Sequence, residues 1–441
     1  MPKLLLISFD AVGSDELSIL SQQPNFQKLM KDGTVFKDMK TVFVSNTYPI
    51  HCSVATGVDP CYHGLCSNTL VNPAKSTFWN YDSRILKHKT LWKAAAEKGL
   101  SVGNVLWPVT GSCASIKWNI PEIAVPRGES QLKANLKSGS VWLQIIEFLR
   151  HKKLLDGVNQ PQLDSFAIHC AQDIISKKNP DLFIIHLTIY DSMCHKYGRL
   201  SDESKFALHF LDDCLGVLIK ECQKINKKVG DPEDSTQFVI FSDHAQLDVS
   251  KNINPNKILA DKGFLSMHPV ENTTFGNSAS RINNWRCFFQ YSGGSAFFFT
   301  APTKGEKRSE EKGDKSENYR IGLSSSELRN LQDEILSLEG VERLLTEDEL
   351  KESGFADCPF CGGAKFGIAA KEGWYFDEQH WEKATHGYTT MVPSNNSFTD
   401  FIPRPHYGTF CAVNKKDVTI QCKRVTDVTK LVASLLDLKM N

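Results

Sequence analysis

The chain has 441 residues, enough to bury a large core and to form two or three domains. Its 51 basic and 51 acidic residues balance, which argues against a nucleic-acid partner or an anionic membrane surface. No apolar run approaches the roughly 18–20 residues that a membrane span needs, and the first run ends too early, at Asp10, for a secretory signal.

Thirteen cysteines are scattered along the chain, and their odd number does not suit a disulfide framework. The pattern favours reduced thiols, so we expect a cytoplasmic protein. Cys358 and Cys361 form a single C-x-x-C pair with no second pair at the spacing of a zinc ribbon. This pair predicts no metal or redox function.

Three short apolar runs each end on an acidic residue: residues 4–9 precede Asp10, residues 182–190 precede Asp191, and residues 238–242 precede Asp243. Continuous apolar runs of this length predict parallel strands that are buried on both faces. Because ligands gather beyond the carboxyl ends of such strands, the three carboxylates should meet at one edge of the sheet. His195 and His244 follow closely, and such a cluster is costly without divalent cations.

Amphipathic segments alternate with these strands, which predicts an α/β sandwich with a largely parallel central sheet flanked by helices. The predicted helices span residues 24–32, 90–98, 162–178, 202–225 and 428–438. Residues 293–300 predict a strand, residues 304–318 a charged solvated loop, and residues 326–338 a capped helix. We interpret residues 260–375 as a smaller inserted α/β subdomain, and residues 1–259 and 376–441 as the catalytic core.

A second signal lies in residues 46–57, where Pro49 and Gly57 bracket a short helix. This arrangement places Thr47 beside the helix N-terminus, where unpaired N–H groups and the helix dipole favour negative charge. A threonine hydroxyl is a weak nucleophile by itself, but a bound metal lowers its pKa. Thr47 is therefore a candidate nucleophile for attack on phosphorus.

These segments resemble the nucleotide pyrophosphatase/phosphodiesterase (type I phosphodiesterase) branch of the alkaline phosphatase superfamily. The resemblance rests on motifs in family order: residues 8–13, 47–51, 56–57 with His63, Gly64 and Asn68, 106–108, 191–198, 242–244 and 385–388. It implies an alkaline-phosphatase-like core and hydrolysis of a phosphodiester or phosphoanhydride through a covalent phosphothreonine on Thr47.

The resemblance also implies two divalent metal ions, usually zinc in this superfamily, with manganese or iron as alternatives. One ion would be held by Asp191, His195 and His386. The other would be held by Asp10, Asp243 and His244, with the oxygen of Thr47 completing the site. His386 is the least anchored of these residues, because His380 and His406 lie nearby in the chain.

Three residues bear on the substrate, which we expect to be a small nucleotide or another phosphodiester. The resemblance gives Asn68 the task of binding a non-bridging phosphate oxygen, where monoesterases typically use arginine. No arginine precedes Arg84 in this chain. Tyr48 matches an aromatic residue that stacks on the base in relatives, and Trp107 could line the pocket. Departures from the family pattern are Ile50, Cys52 and Thr389, which put the leaving-group preference in doubt.

Simpler interpretations remain beside these. Each carboxylate alone could cap a turn or form a surface ion pair, Thr47 could only cap its helix, and Tyr48 could be core packing. His51 and His63 are more consistent with structural support than with ligation.

The rival functions are a phosphomonoesterase or phosphonate hydrolase on the same metal core, and a catalytically silent nucleotide- or metal-binding protein. A sulfatase is disfavoured because the Cys/Ser-x-Pro-x-Arg pattern is missing. Oligomeric state cannot be predicted from this sequence.

Overall fold

The structure, a computed structural model, describes residues 2–75, 78–125, 129–270, 279–302, 321–394 and 401–440. Its strands are β1 Leu4–Phe9, β2 Thr34–Met39, β3 Val102–Val105, β4 Trp118–Ile120, β5 Leu182–Leu187, β6 Gln237–Phe241, β7 Leu247–Asp248, β8 Lys251–Ile253, β9 Ser266–Val270, β10 Ala279–Asn283, β11 Cys287–Ser292, β12 Ser295–Thr300, β13 Val341–Leu344, β14 Phe366–Ala370, β15 Trp374–Phe376, β16 Ala384–Thr385, β17 Met391–Pro393, β18 Phe401–Pro403 and β19 Thr409–Val413.

The α-helices are α1 Leu17–Leu20, α2 Pro24–Leu29, α3 Thr47–Thr56, α4 Pro60–His63, α5 Leu91–Glu97, α6 Gln131–Ser138, α7 Val141–His151, α8 Gln162–Lys178, α9 Ile189–Tyr197, α10 Asp202–Val229, α11 Pro255–Asp261, α12 Ser325–Leu336, α13 Glu347–Glu352 and α14 Asp427–Leu436. Short 3-10 turns occur at Ser83–Ile85, Lys152–Leu154 and Phe360–Gly362.

The main sheet has seven strands in the order β2-β19-β6-β1-β5-β3-β4. Strand β1 lies between β5 and β6 and runs parallel to both, with Ser8 opposite His186 on one side and Phe241 on the other. Only β19 runs antiparallel to its neighbours in this sheet. The carboxyl ends of the three central strands therefore lie side by side.

Alternate residues of β1 enter two separate cores, because successive side chains of a strand point to opposite faces. Leu5 and Ile7 pack in a cluster with α8 and α10. Leu4 and Leu6 pack in a second cluster with α3, α5 and α14. The sheet is thus covered by helices on both faces, as the continuous apolar runs predicted. The expected α/β sandwich is confirmed.

A second sheet of four strands, in the order β11-β12-β14-β13, lies in the later part of the chain. Phenylalanines fill its core: Phe297 stacks on Phe355, and Phe298 stacks on Phe366. This sheet agrees with a smaller α/β subdomain, while the exact limits of 260 and 375 stay a prediction. The tract at residues 304–318 lies outside the described residues.

Most predicted helices are present within a few residues of their expected limits. A change in the type of element occurs at the end of β5, which stops at Leu187 instead of continuing to Tyr190. Helix α9 begins there, and the buried Asp164 carboxylate accepts a hydrogen bond of 2.9 Å from the Ile189 N–H. The last residues of the apolar run therefore form the start of a helix, and a residue 25 positions away accepts a hydrogen bond from that helix start. None of the helices in the described ranges is long and apolar enough to cross a membrane.

Candidate active site

Acidic residues follow all three central strands of the main sheet. Asp10 comes directly after β1, Asp243 comes two residues after β6, and Asp191 lies in the first turn of α9, just beyond β5. All three carboxylates are buried or mostly buried. The parallel register of the strands brings together side chains that are up to 233 positions apart in the sequence.

Thr47 is the first residue of helix α3. Asn46 has an extended backbone before it, and Gly57 ends the helix in the left-handed region with φ of 78°. The Thr47 hydroxyl oxygen lies 3.3 Å from His244 Nε2. The predicted nucleophile is therefore at the positive end of a helix and in contact with the carboxylate cluster.

His244 lies at the centre of the cluster. Its Nε2 atom is 3.3 Å from Asp10 Oδ1 and 3.4 Å from Asp243 Oδ2. The ligand atoms of Asp10, Asp243 and His244 lie within 4.8 Å of one another. Thr47 contacts the same nitrogen, so the four residues expected to share one metal lie together.

Asp191 and His195 lie one turn apart on α9, and His195 Nε2 is 3.3 Å from Asp191 Oδ1. The ring centroid of His386 is 5.4 Å from that of His195 and 4.4 Å from that of His244. Asp191, His386 and His244 also form a group with ligand atoms within 4.8 Å. The structure thus brings all seven predicted residues together, with His244 between the two sets rather than wholly in one.

The backbone after His386 requires glycine. Gly387 has φ of 81°, and a Cβ atom at this position would lie 1.7 Å from the carbonyl oxygen of Ser292. His386 itself is oriented by a contact of 3.0 Å between its Nδ1 atom and Asn46 Oδ1. This contact links the far end of the chain to the residue that precedes Thr47.

The donor set fits divalent cations. Asp10 Oδ1 and Asp243 Oδ2 are buried and accept no hydrogen bond from any described residue. Burial, together with the charges of neighbouring carboxylates, raises the pKa of Asp10, and burial raises the pKa of Asp243 to about 6. Buried carboxylates this close repel each other, and a cation between them would remove that cost. Carboxylate oxygens and imidazole nitrogens are the ligands that zinc prefers besides thiolates.

Two residues that sequence reasoning missed support His195. Glu382 is buried, and its Oε1 lies 3.4 Å from His195 Nδ1. The ring of Trp381 stacks on the His195 imidazole at a centroid distance of 6.0 Å. Burial lowers the pKa of His195, but the carboxylates of Asp191 and Glu382 outweigh it and raise that pKa to about 10. Both residues lie shortly before His386, but no periodicity in the sequence relates them to α9.

A buried histidine and a glutamate were also missed. His186 lies in the middle of β5, with Nε2 3.0 Å from Asp10 Oδ2 and Nδ1 2.9 Å from Glu122 Oε2. The other oxygen of Glu122 accepts a hydrogen bond of 3.1 Å from the Tyr48 hydroxyl. This chain of contacts holds one oxygen of Asp10 and leaves Oδ1 directed at His244. The one feature of the sequence that could have identified His186 is that it is a single histidine inside an otherwise apolar strand.

Asn68 lies beside the start of α3, where its Oδ1 accepts a hydrogen bond of 2.9 Å from the Tyr48 N–H. This bond identifies the oxygen of the amide, so Nδ2 is the atom available to donate to a ligand. The half-buried position of Asn68 next to Thr47 is consistent with the predicted role in phosphate binding.

Tyr48 and Trp107 do not lie where a substrate could contact them. Both are fully buried, and Trp107 packs edge-on against His51 at a centroid distance of 5.0 Å. The sequence-based expectation of a base-stacking Tyr48 and a pocket-lining Trp107 therefore needs correction, because neither ring has an exposed face. Tyr48 instead packs at 5.0 Å against Trp79, which is partly exposed.

The two histidines expected to be structural have buried polar partners. His51 lies within 2.8 Å of the Thr47 carbonyl oxygen through Nδ1 and within 2.9 Å of Ser8 Oγ through Nε2. His63 Nε2 lies 3.0 Å from Ser53 Oγ. Both side chains anchor α3 to its surroundings and hold the backbone under Thr47.

Comparison with known proteins agrees with this geometry. A family model described as type I phosphodiesterase / nucleotide pyrophosphatase matches residues 4–389. Human ectonucleotide pyrophosphatase/phosphodiesterase family member 1 is 26% identical over 270 residues, which cover 59% of this chain and 25% of that protein. The bis(5'-adenosyl)-triphosphatase enpp4 of Xenopus laevis is 32% identical over 130 residues, 27% of each chain. The matches therefore span about a quarter of the length of these relatives.

Solved structures show the same fold. Murine ectonucleotide pyrophosphatase/phosphodiesterase 5, an inactive threonine-to-alanine variant in complex with AMP, superposes with a TM-score of 0.62 at 17% identity, covering 100% of this chain and 96% of that one. The human counterpart gives a TM-score of 0.58 at 18% identity, with the same coverage. Because the family model matches residues 4–389, which is most of the sequence, this chain belongs to the type I phosphodiesterase / nucleotide pyrophosphatase family.

Proposed function

We propose that this protein is a two-metal phosphodiesterase or nucleotide pyrophosphatase that hydrolyses a nucleotide-containing phosphodiester or phosphoanhydride through a covalent intermediate on Thr47. The observation that carries the proposal is the contact of Thr47 with a buried cluster whose carboxylate oxygens lack hydrogen-bond donors among the described residues. Family membership and the inactive threonine variant of the murine relative support it.

Under this proposal Asp191, His195 and His386 hold one divalent ion, and Asp10, Asp243, His244 and Thr47 hold the other. Zinc fits the mixture of imidazole and carboxylate ligands, although manganese and iron bind similar sites. When bound, the ions supply the positive charge that lowers the pKa of the Thr47 hydroxyl and stabilises the leaving oxygen.

The reaction runs in two displacements on phosphorus. The Thr47 oxygen forms a bond to phosphorus as the bond to the leaving oxygen breaks, and the proton that Thr47 loses passes to the leaving group or to solvent. Water then attacks the phosphothreonine from the opposite side, the bond from phosphorus to Thr47 breaks, and the proton that the water loses replaces the one that Thr47 gave up. The helix N-terminus favours the negative charge that develops near Thr47, and Asn68 Nδ2 donates to a non-bridging oxygen.

The neutral amide of Asn68 favours a diester over a monoester. A diester group carries one negative charge less than a terminal phosphate, and the bidentate match of an arginine to a terminal phosphate is not needed. Nucleotide substrates are supported by the AMP complex of the murine relative and by the activity in the name of the Xenopus relative. The buried Tyr48 ring packs against Trp79 at a centroid distance of 5.0 Å, and Trp79 is partly exposed.

The substrate class is tested by comparing bis-p-nitrophenyl phosphate, a p-nitrophenyl nucleotide 5′-ester and p-nitrophenyl phosphate, each with and without a chelator. We expect hydrolysis of the two diesters, faster for the nucleotide ester, and its loss on chelation. A preference for p-nitrophenyl phosphate would establish the rival monoesterase function. Activity that survives exhaustive chelation would refute the two-metal account, and inactivity toward all substrates would favour the silent binding protein.

The nucleophile is tested with Thr47→Ala, and Thr56→Ala serves as a matched control on the same helix. Thr56 donates its hydroxyl only to the Cys52 carbonyl within α3. We expect Thr47→Ala to lose turnover and any nucleotidyl adduct detected by intact mass after acid quench, while its metal content stays near that of wild type. Wild-type turnover by Thr47→Ala would refute the assignment. Asp243→Asn should lose both metal and activity.

We also propose a cytoplasmic location. Ten of the thirteen cysteines are buried, and buried thiols scattered through helices and strands are consistent with a reducing compartment. Cell fractionation tests this part of the proposal, and recovery of the protein in the culture medium would contradict it.

A further inference from the structure

Helix α7 presents its apolar side to solvent. Along its length Leu143, Gln144 and Glu147 are buried, whereas Trp142 is 76% exposed and Leu149 is 61% exposed. At 100° per residue, the exposed apolar residues occupy one continuous face: Val141, Trp142, Ile146, Phe148 and Leu149. A surface helix normally has the opposite arrangement, with its apolar stripe facing the core.

The neighbouring helix carries one more exposed apolar residue. Leu132 of α6, which packs against α7, is 61% exposed. Scattered single apolar residues on a surface need no explanation, but a continuous row of large side chains marks an interaction site. We name this row the α7 face, consisting of Leu132, Val141, Trp142, Ile146, Phe148 and Leu149.

Basic residues outnumber acidic residues in the segment that carries the α7 face. Residues 131–153 contain five lysines and arginines and one acidic residue, Glu147, which is buried and pairs with Arg150 at 2.8 Å. Lys152 and Lys153 follow α7 directly and are exposed, and no acidic partner for either occurs among the described residues. A groove of about 350 Å³ beside Trp142 and Ile146 is bordered by Lys177 and Lys178 and also by Asp173, which pairs with Lys177 at 2.6 Å, so Lys178, unpaired among the described residues, adds the positive charge there.

The exposed apolar residues and the neighbouring lysines together indicate which kind of partner covers the α7 face. A second copy of the chain would meet it through a two-fold axis, which would bring the same basic border close to itself. An anionic phospholipid surface matches both the apolar side chains and the lysines, because it offers an apolar interior below negatively charged head groups. Interfacial helices have this composition, with Trp, Phe and Leu on one side and lysine beside them. The balanced net charge of the whole chain conceals this local excess.

We propose that the α7 face docks on the surface of an anionic phospholipid membrane, with Trp142 and Leu149 entering the head-group region and Lys152 and Lys153 contacting lipid phosphates and carboxylates. This mode of attachment is peripheral and needs no membrane-spanning helix. It is independent of the catalytic proposal, since no residue of the face contacts the active-site cluster. It differs from the sequence-based expectation of no membrane partner, and the vesicle experiment decides between the two.

Vesicle co-sedimentation tests the inference with the full chain, using phosphatidylcholine vesicles with and without phosphatidylserine. We expect wild-type protein to bind the vesicles that contain phosphatidylserine and to be released by high salt. Trp142→Gln/Leu149→Gln should weaken the partition coefficient at least tenfold. Lys152→Gln/Lys153→Gln should weaken it about fivefold for each lysine at low ionic strength.

The matched control is Leu200→Gln/Phe206→Gln, which removes two apolar side chains that are 59% and 51% exposed elsewhere on the surface. This control should bind vesicles like wild type, and thermal melts should show that all three variants are folded. Failure of wild type to bind anionic vesicles, or equal binding by Trp142→Gln/Leu149→Gln, would overturn the inference. Sedimentation velocity provides a further decision: a dimer that only Trp142→Gln/Leu149→Gln dissociates, without vesicle binding, would make the α7 face a self-association surface instead.

Discussion

Glu382 offers the sharpest test of how the protein supports the proposed metal ligand His195. Its buried carboxylate lies 3.4 Å from Nδ1 of His195, and the other side of that imidazole faces Asp191 at 3.3 Å. A contact of 3.4 Å is long for a hydrogen bond, so Glu382 acts on His195 chiefly through its negative charge. Replacing the carboxylate with an amide of the same shape, in Glu382→Gln, removes that charge and little else.

The size of the effect follows from this geometry. Outer carboxylates that orient ligating histidines typically contribute 10–100-fold in metal affinity, which is about 1.4–2.7 kcal/mol. Because the contact is electrostatic rather than a short hydrogen bond, we expect Glu382→Gln to weaken Zn²⁺ binding by about tenfold. Glu382→Leu should lose little more than Glu382→Gln, whereas a dominant hydrogen bond would leave the glutamine variant near wild type.

The assay is competition for Zn²⁺ between the protein and a chromophoric chelator, with kcat/KM for a nucleotide 5′-ester measured at saturating metal. Glu372→Gln is the control, since Glu372 is exposed and lies ten positions earlier in the chain. His195→Ala sets the scale for complete loss of a ligand. If Glu382→Gln bound Zn²⁺ as tightly as wild type while His195→Ala did not, support of His195 through the charge of Glu382 would be refuted, and equally tight binding by Glu382→Leu would refute any supporting role.

Three further predictions concern stability. Asp212→Ala removes a buried carboxylate that accepts a hydrogen bond of 2.7 Å from the Phe26 N–H at the start of α2, and should cost about 2–4 kcal/mol of unfolding free energy in urea melts. Burial, with the charge of a nearby aspartate, raises the pKa of Glu147 to about 7 from 4.5, so the ionised form disfavours folding. Stability relative to Glu147→Gln should therefore fall as pH rises from about 4.5 to about 7, and melting temperatures that stay parallel across this range would contradict it. Gly387→Ala places a Cβ atom 1.7 Å from the Ser292 carbonyl and should lower both melting temperature and metal content, whereas wild-type values would show that the turn adapts.

Much of the fold could be predicted because local patterns and tertiary packing agree. The three apolar runs are buried on both faces, which makes their strand character visible without alignment, and α8 matches its predicted limits at Gln162 and Lys178. The prediction was wrong at the end of β5, where the apolar run continues but the carboxylate of Asp164 caps a new helix. The effect of a side chain on another helix cannot be predicted from the sequence of the apolar run itself.

The amino-acid sequence by itself determined which residues are candidates for the chemistry: carboxylates at strand ends, the Thr47 segment and the histidines that follow. Tertiary structure decided how these residues are arranged. His244 contacts both Asp10 and Thr47. Glu382 contacts His195, His186 contacts Asp10, and Tyr48 is buried instead of facing a base. The exposure of the α7 face could likewise be seen only in the structure, because its apolar residues have the spacing of the buried side of an ordinary amphipathic helix. Only the packing reveals which side of α7 faces the core, since periodicity gives the width of an apolar stripe but not its direction.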